Sequence, residues 1–429
     1  MRPVIIISYW FAPSPAVGAK RFSFLAREFA HQGYDVHVIT HETREWSDWN
    51  ADGSLPLAGH VHRCAESVKL PFTGRSLLHR AANSLLRRLL APLGWEILWA
   101  GAARRKALEI ARQYGLKDGV VIATSPAHSA VIAGGAVARQ LGWPLILDYR
   151  DPWSAHDWPR WRRSAVSQWF ARRIEQRYIR RSAARVLNTP AMRSAFERYF
   201  PRADKRRNHV IPNGFEAAIG ELPPVTTDGP IEIVHAGEIF TGRSLVPVLE
   251  AAARLAARFP HRPVRVTTFG DLPGAEHKRI RAAGLEQYVQ VRPRIPFKEL
   301  VVELRRTHLL LAIVGDHMVY STPYKVYDYM AVGRPILGIA PRGAALFELL
   351  ADSGAGTCLE VGDTAGIERV LEKFMRGDVE PLRARVDRFR WTNLALQYRN
   401  VIETAAGTDA PATLRPDVPP RQARAVVHK

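Results

Sequence analysis

Residues 321–336 read STPYKVYDYMAVGRPI. Lys325 and Asp328 stand three apart, small residues follow, and Gly333-Arg334-Pro335 leads into the apolar pair Ile336-Leu337. That spacing puts the two charges on one face of a helical turn. The glycine and proline end the turn before a strand begins. A helix running into an apolar strand is half of a βαβ unit, and the rest of the chain repeats the pattern on both sides.

After residue 230 come "IEIVHAGE", "VRVTTFG", "VQVRPRI", "HLLLAIVG", "PILGIAP" and "TCLEVG". Before it come the opening "MRPVIIISYWFA", then "YDVHVIT", "GVVIATS", "PLILDYR" and "ARVLNT". Between the first two of these, "GAKRFSFLAREFAHQG" carries helical spacing at Phe22, Leu25, Phe29 and Ala30, and Gly33 closes it. Short apolar strands alternating with helices predict right-handed parallel units. "ELPPVTTDGP", at 221–230, suits neither helix nor strand and separates the two series as a linker. The expected class is α/β, with two Rossmann-like doubly wound domains, 1–220 and 221–384, facing a cleft. The Pro-rich polar segment 407–429 is expected to be a disordered tail. The basic, apolar N-terminus has the look of a weak signal peptide, but its continuation as strand–helix–strand favours a buried first strand.

At 429 residues the chain exceeds one ordinary core. A hydrophobic content of 47% with 24% charged residues excludes a disordered chain. The formal charge of +20 favours polyanionic partners: nucleic acid, an anionic membrane or phosphorylated substrates. Two distant cysteines, Cys64 and Cys358, imply no disulfide framework and fit a reducing compartment. No apolar run reaches the roughly 18 residues of a membrane span.

Doubly wound sheets take ligands beyond the carboxyl ends of their strands. Three N-domain candidates lie there. Gly18, in "FAPSPAVGAKR", allows backbone to approach a phosphate or sugar at a helix start, or simply opens a helix. The pattern is not G-x-G-x-x-G, so a dinucleotide site is unsupported. His128, in "TSPAHSA", sits where a strand feeds a helix, as a functional group or a structural one. Asp151 shares "DYRDPW" with Asp148 and Arg150, which act chemically or only shape the loop through ion pairs. In the C-domain, "HAGEIFTGRSL" offers Gly237, Gly242 and the planar donor fork of Arg243. Lys325 and Asp328 make an intrahelical ion pair, or Lys325 meets a diphosphate while Asp328 accepts from a ribose diol. One ligand, a nucleotide sugar, would explain both charges.

From "YWFAPSPAVGAKR" through "DYRDPW", "VIPNGFE" and "GEIFTGR" to "PYKVYDYMAVGRPIL", the chain resembles the GT-B glycosyltransferases, in particular the family-4-like group of polysaccharide assembly enzymes. The resemblance implies a nucleotide-sugar donor held mainly by the C-domain and an acceptor on the N-domain. It also implies a last helix, within 385–406, that returns to the N-domain, and retention of anomeric configuration. His128 and Asp151 are then the candidate catalytic residues, and Gly18, Gly242, Arg243, Tyr320, Lys325 and Asp328 the candidate donor-binding ones. The family's two glutamates, seven residues between them, align with Tyr320 and Asp328, so the first carboxylate is replaced. Glu238 stands where an Arg is usual, which leaves Arg243, supplemented by Lys325, as the cation. Retention needs no covalent nucleophile.

No Asp-x-Asp motif is present, and strand alternation explains His60, His62 and Cys64 in "HVHRC". No metal and no cofactor beyond the donor substrate are expected. Rival readings are a nucleic-acid-binding protein, for which no motif speaks, a sugar-nucleotide epimerase or phosphorylase on the same fold, and a noncatalytic paralogue signalled by Tyr320. Finally, "SLLHRAANSLLRRLL", 76–90, sets leucines against arginines as an interfacial amphipathic helix would. An ordinary helix packed on the sheet has the same pattern. Trp95, Trp99, Trp158, Trp161 and Trp169 lie among basic residues nearby. The expected partners are therefore a glycan or polyprenyl-linked acceptor and an anionic membrane, at the inner face of the cytoplasmic membrane.

Overall fold

The computed structural model describes residues 1–42, 60–65, 95–155, 165–216, 220–224, 229–239, 242–316, 318–378 and 384–407. The stretch 76–90, the Trp95 side chain, Trp158, Trp161 and residues 408–429 lie outside that set.

The first sheet holds β1 (Pro3–Ile7), β2 (Asp35–His41), β3 (Val61–Cys64), β4 (Val120–Ser125), β5 (Leu145–Tyr149), β6 (Ala184–Leu187) and β7 (Asn208–Val210). The second holds β8 (Ile231–Ala236), β9 (Val264–Phe269), β10 (Val289–Arg292), β11 (Leu309–Ile313), β12 (Ile336–Ala340) and β13 (Gly356–Glu360). Their orders are β3-β2-β1-β4-β5-β6-β7 and β10-β9-β8-β11-β12-β13. Every pairing is parallel. Both are doubly wound, and each reverses direction in its middle, at β1/β4 and β8/β11. That reversal is where a crevice opens outside the carboxyl ends of the strands. The architecture is two Rossmann-like domains.

The apolar runs are strands because helices cover both faces of each sheet. Val4 to Ile7 are wholly buried, as are Val120 to Ala123. Helix Val17–His31 buries Phe22, Leu25 and Phe29 against the first sheet. It ends at Gly33, whose φ of 87° is left-handed backbone that favours glycine.

The chain crosses from first to second domain after Phe215 and returns near Arg390. The two crossings lie side by side: Phe215 N donates to Phe389 O at 3.0 Å, and Trp391 N donates to Phe215 O at 2.9 Å. Gly214 is needed there, since a Cβ would come within 2.3 Å of Phe389 O. Helix Trp391–Ala405 then packs on the first domain, where Trp391, Leu394, Tyr398 and Ile402 share one cluster with Phe22 and Phe29.

A buried ion pair organises this junction. Arg21 Nη2 lies 2.8 Å from Asp148 Oδ2, both side chains almost fully buried. Arg21 also donates to Pro212 O at 2.7 Å and Ile211 O at 2.9 Å, and Tyr398 Oη donates to Asp148 at 3.3 Å. The pair is thus hydrogen-bonded throughout, and removing one partner of such a pair costs about 3–5 kcal/mol.

One expectation is corrected. Trp99 does not face a membrane: it is fully buried, donates from its ring nitrogen to Cys64 O at 3.0 Å, and meets Tyr9 edge-on. Its apolar ring fills the gap under the edge of the sheet. Among the described residues, no helix is long and apolar enough to cross a membrane.

Candidate active site

The cleft between the domains has two compartments that share Val17 and Tyr324. The larger, about 560 Å³, lies mostly against the second domain and is lined by Gly237, Phe269, Arg294, Phe297, Lys325 and Asp328, with Lys20 reaching in from the first domain. Its size falls in the range of about 300–1,000 Å³ that suits small-molecule sites.

Lys325 is the first residue of helix Lys325–Val332. Its Nζ lies 3.0 Å from His235 Nε2. His235 ends up neutral: burial, then Lys325 and Arg243, push its pKa well below the ordinary value. Its Nε2 therefore accepts from Lys325, and its Nδ1 carries the proton, 3.5 Å from Thr268 Oγ1. Burial, followed by the charges of Arg243 and Arg294, brings Lys325 down to about 7. Gly237, with φ of 94°, leaves the ammonium room, since a Cβ there would sit 3.3 Å from Nζ. Lys325 and Arg294 line this compartment, and Arg243 acts on Lys325 through its charge from outside the lining.

Asp328 shares the helix face with Lys325 but pairs across the cleft, with Lys20 Nζ at 3.3 Å. Burial raises its pKa and Lys20 opposes the rise. Lys20 also sits 4.6 Å from the Phe297 ring centre and 4.7 Å from that of Tyr324. The two charges of the sequence stretch are therefore directed to different partners, one in each domain.

The smaller compartment, about 260 Å³, is lined by Trp10, Gly18, Arg150, Asp151, Asn188 and Ser321. Arg150 is buried and donates to the carbonyls of Gly18 and Pro126. Burial brings its pKa down to about 10. Gly18 is required for that approach, because a Cβ would collide with Arg150 Nη1 at 2.1 Å. Asp151 accepts from Ser321 Oγ of the second domain at 2.8 Å. The "DYRDPW" charges therefore divide: Asp148 holds the junction, Arg150 shapes the loop, and Asp151 faces the cleft.

The other candidates have clear places. His128 begins helix His128–Leu141, with Nδ1 2.8 Å from Ser125 Oγ and its ring stacked 4.4 Å from Trp153. Arg243 is half-buried behind Lys325 and influences it through charge. Gly242, with φ of 86°, turns the loop beside Gly315. Tyr320 packs against the core of the first domain, and its carbonyl accepts from Thr189 Oγ1 at 2.5 Å. Neither Tyr320, Gly242, Arg243 nor His128 lines the two compartments.

Sequence reasoning missed His235, Lys20, Arg294 and Tyr324. Lys20 lies within the "GAKR" segment, and Arg294 follows β10 in "RPRI". Arg294 Nη1 is 3.7 Å from Glu238 Oε1, so this loop brings a cation beside the loop that follows β8.

A family model described as a glycosyl transferase 4-like domain matches residues 18–214. No curated protein matches the sequence closely enough to count as a relative. Three solved structures share the fold along nearly the whole chain. The lipopolysaccharide outer core galactosyltransferase WaaB, in its apo form, has 13% identity and a TM-score of 0.60, over 94% of this chain and 99% of that one. Sucrose-phosphate synthase from Thermosynechococcus elongatus has 15% identity and a TM-score of 0.61, over 94% and 98%. HepE from Anabaena, in complex with UDP-glucose, has 13% identity and a TM-score of 0.55, over 95% and 98%.

Proposed function

We propose that this GT-B glycosyltransferase of the family-4-like group moves a sugar from a nucleotide-sugar donor to a glycan or lipid-linked acceptor in cell-surface polysaccharide assembly. The observation that carries the reading is the larger compartment, lined by Lys325 and Arg294, with the Asp328 carboxylate on the same helix face as Lys325 and the Arg243 charge acting on Lys325 from outside the lining. A nucleoside diphosphate matches both: phosphates to the cations, a ribose diol to the carboxylate.

In the proposed reaction the bond between the anomeric carbon and the diphosphate oxygen breaks. A bond to the acceptor oxygen forms, and the acceptor's proton leaves with the diphosphate. The preorganised cations stabilise the charge developing on that leaving group. Transfer is proposed to retain anomeric configuration and to need no metal in the cleft. Asp151, in the adjoining compartment, is the candidate for orienting the acceptor, and His128, outside that lining and 2.8 Å from Ser125 Oγ, is the second catalytic candidate. The neighbour solved with UDP-glucose motivates beginning the donor search with uridine diphosphate sugars.

Docking on an anionic membrane is part of the same proposal. Helix Ala165–Arg181 exposes Val166, Trp169 and Phe170, each at least half exposed, among arginines. The Arg173 guanidinium lies 5.0 Å from the Trp169 ring. Exposed aromatics beside basic residues suit a membrane interface.

The deciding experiment screens nucleotide sugars by thermal shift, then measures donor-dependent transfer to polyprenyl-linked acceptors, with and without EDTA. Transfer that persists in EDTA is the expected result. Free sugar epimerised without any acceptor, or no turnover with any stabilising donor, would overturn the reading.

A further inference from the structure

We propose that Asp35, His37 and His60 bind one divalent transition-metal ion of the zinc class on the edge of the first sheet, remote from the donor cleft. β2 and β3 are parallel neighbours, with Val38 opposite Val61 and Ile39 opposite His62. One step back sets His37 beside His60. Side chains two apart on a strand share a face, so Asp35 and His37 of β2 stand on the same face as His60 and His62. The His60–His62 alternation that looked like an ordinary strand therefore has its complement one strand away.

The distances suit a small ion. Asp35 Oδ1 lies 3.2 Å from His37 Nε2 and 3.7 Å from His60 Nδ1. The three ligand atoms lie within 4.8 Å of one another. Zinc bonds of about 2.0–2.2 Å in tetrahedral geometry put ligand atoms roughly 3.3–3.6 Å apart, between those two spacings. His37 is fully buried, and its Nε2 meets the Asp35 carboxylate in a 3.2 Å contact that lacks good hydrogen-bond alignment. An ion shared between Nε2 and Asp35 satisfies both.

His37 Nδ1 lies 3.1 Å from His62 Nε2. With Nε2 on the metal, Nδ1 carries the proton and donates to His62, an arrangement that orients ligating histidines generally. His62 is thus a positioning residue. The His60 ring is stacked 4.7 Å from that of His37, at 24°. It must turn out of that stack to aim Nδ1 at the ion, and its side chain, 43% exposed, has room to do so. A water completes the coordination from the exposed side. Cys64 stays outside the set, its Sγ directed to Thr40 O at 3.8 Å.

Asp35 opens β2, at the amino ends of the strands, whereas the cleft lies at their carboxyl ends. The ion is therefore structural: it ties edge strand β3 to the sheet and takes no part in transfer. This is compatible with a metal-independent reaction and does not depend on it.

The test uses the full chain stripped of metal, with Zn²⁺ followed by calorimetry and Co²⁺ by its visible ligand-field bands. One ion per chain and a rise in melting temperature are expected. His62→Ala should weaken binding about 10–100-fold. His60→Ala and Asp35→Asn, at partly exposed positions, should weaken it further while the chain stays folded by circular dichroism. No binding in the parent overturns the site. Equal affinity and an unchanged Co²⁺ spectrum in His60→Ala and Asp35→Asn also overturn it, and assign the metal to other histidines.

Discussion

Burial and neighbouring arginines bring Lys325 down to about 7, so the proposed diphosphate site is proton-linked. Bound diphosphate favours the charged ammonium, so the bound pKa rises and binding takes up a proton. Affinity is then full below pH 7 and falls as the pH climbs from there toward the bound-state pKa, by up to about tenfold per unit. Calorimetry of nucleoside diphosphate binding in buffers of different ionisation enthalpy should show that uptake near pH 8. Lys325→Ala should abolish it and weaken binding by roughly 1.5–3 kcal/mol, the scale of a charge-assisted contact. The same affinity at pH 7 and pH 9 in the parent would remove Lys325 from the phosphates. Asp328 is tested through the other end of the ligand. Asp328→Asn should lose affinity for the ribose nucleotide, and a dideoxyribose analogue should bind the parent poorly. If both sugars bind equally, the carboxylate serves the Lys20 contact alone.

At the scale of elements, the strands and the first helix were legible because each announces itself by period. Helix Lys325–Val332 lies within the quoted stretch, and β12 begins at its last residue. The partners of its charges were not legible. Lys325 meets a histidine 90 residues away, and Asp328 a lysine 308 residues away, and neither separation leaves a local pattern. The glycines are the intermediate case. Gly18 was marked by its loop, but its reason, the Arg150 guanidinium against it, comes from 132 residues along the chain. Gly214 tests the paired crossings. Gly214→Ala drives a methyl into the Phe389 carbonyl and the Leu394 side chain. Overpacking of this kind costs about 1–3 kcal/mol, so the melting temperature should fall by several degrees. An unaltered melt would mean that the crossings are not packed as tightly as they stand here.

For the whole molecule, the +20 charge acquires a location in part. Arg172, Arg173, Arg177, Arg180 and Arg181 share a helix with exposed Trp169 and Phe170. Cosedimentation with anionic liposomes should show binding that falls with added salt, and Trp169→Ser with Phe170→Ser should weaken it. Near an anionic leaflet each basic residue contributes about 1 kcal/mol. Failure to bind neutral or anionic vesicles at low salt would direct the acceptor search to soluble glycans. What the sequence alone determined is the class: two series of parallel units, with loops at the carboxyl ends of their strands. Hydrophobic period and turn chemistry are local, and local patterns survive in one dimension. Only the tertiary structure decided which charges meet. Arg21 belongs to Asp148 and Asp328 to Lys20 because folding brings remote loops to one place, where burial makes an uncompensated charge costly.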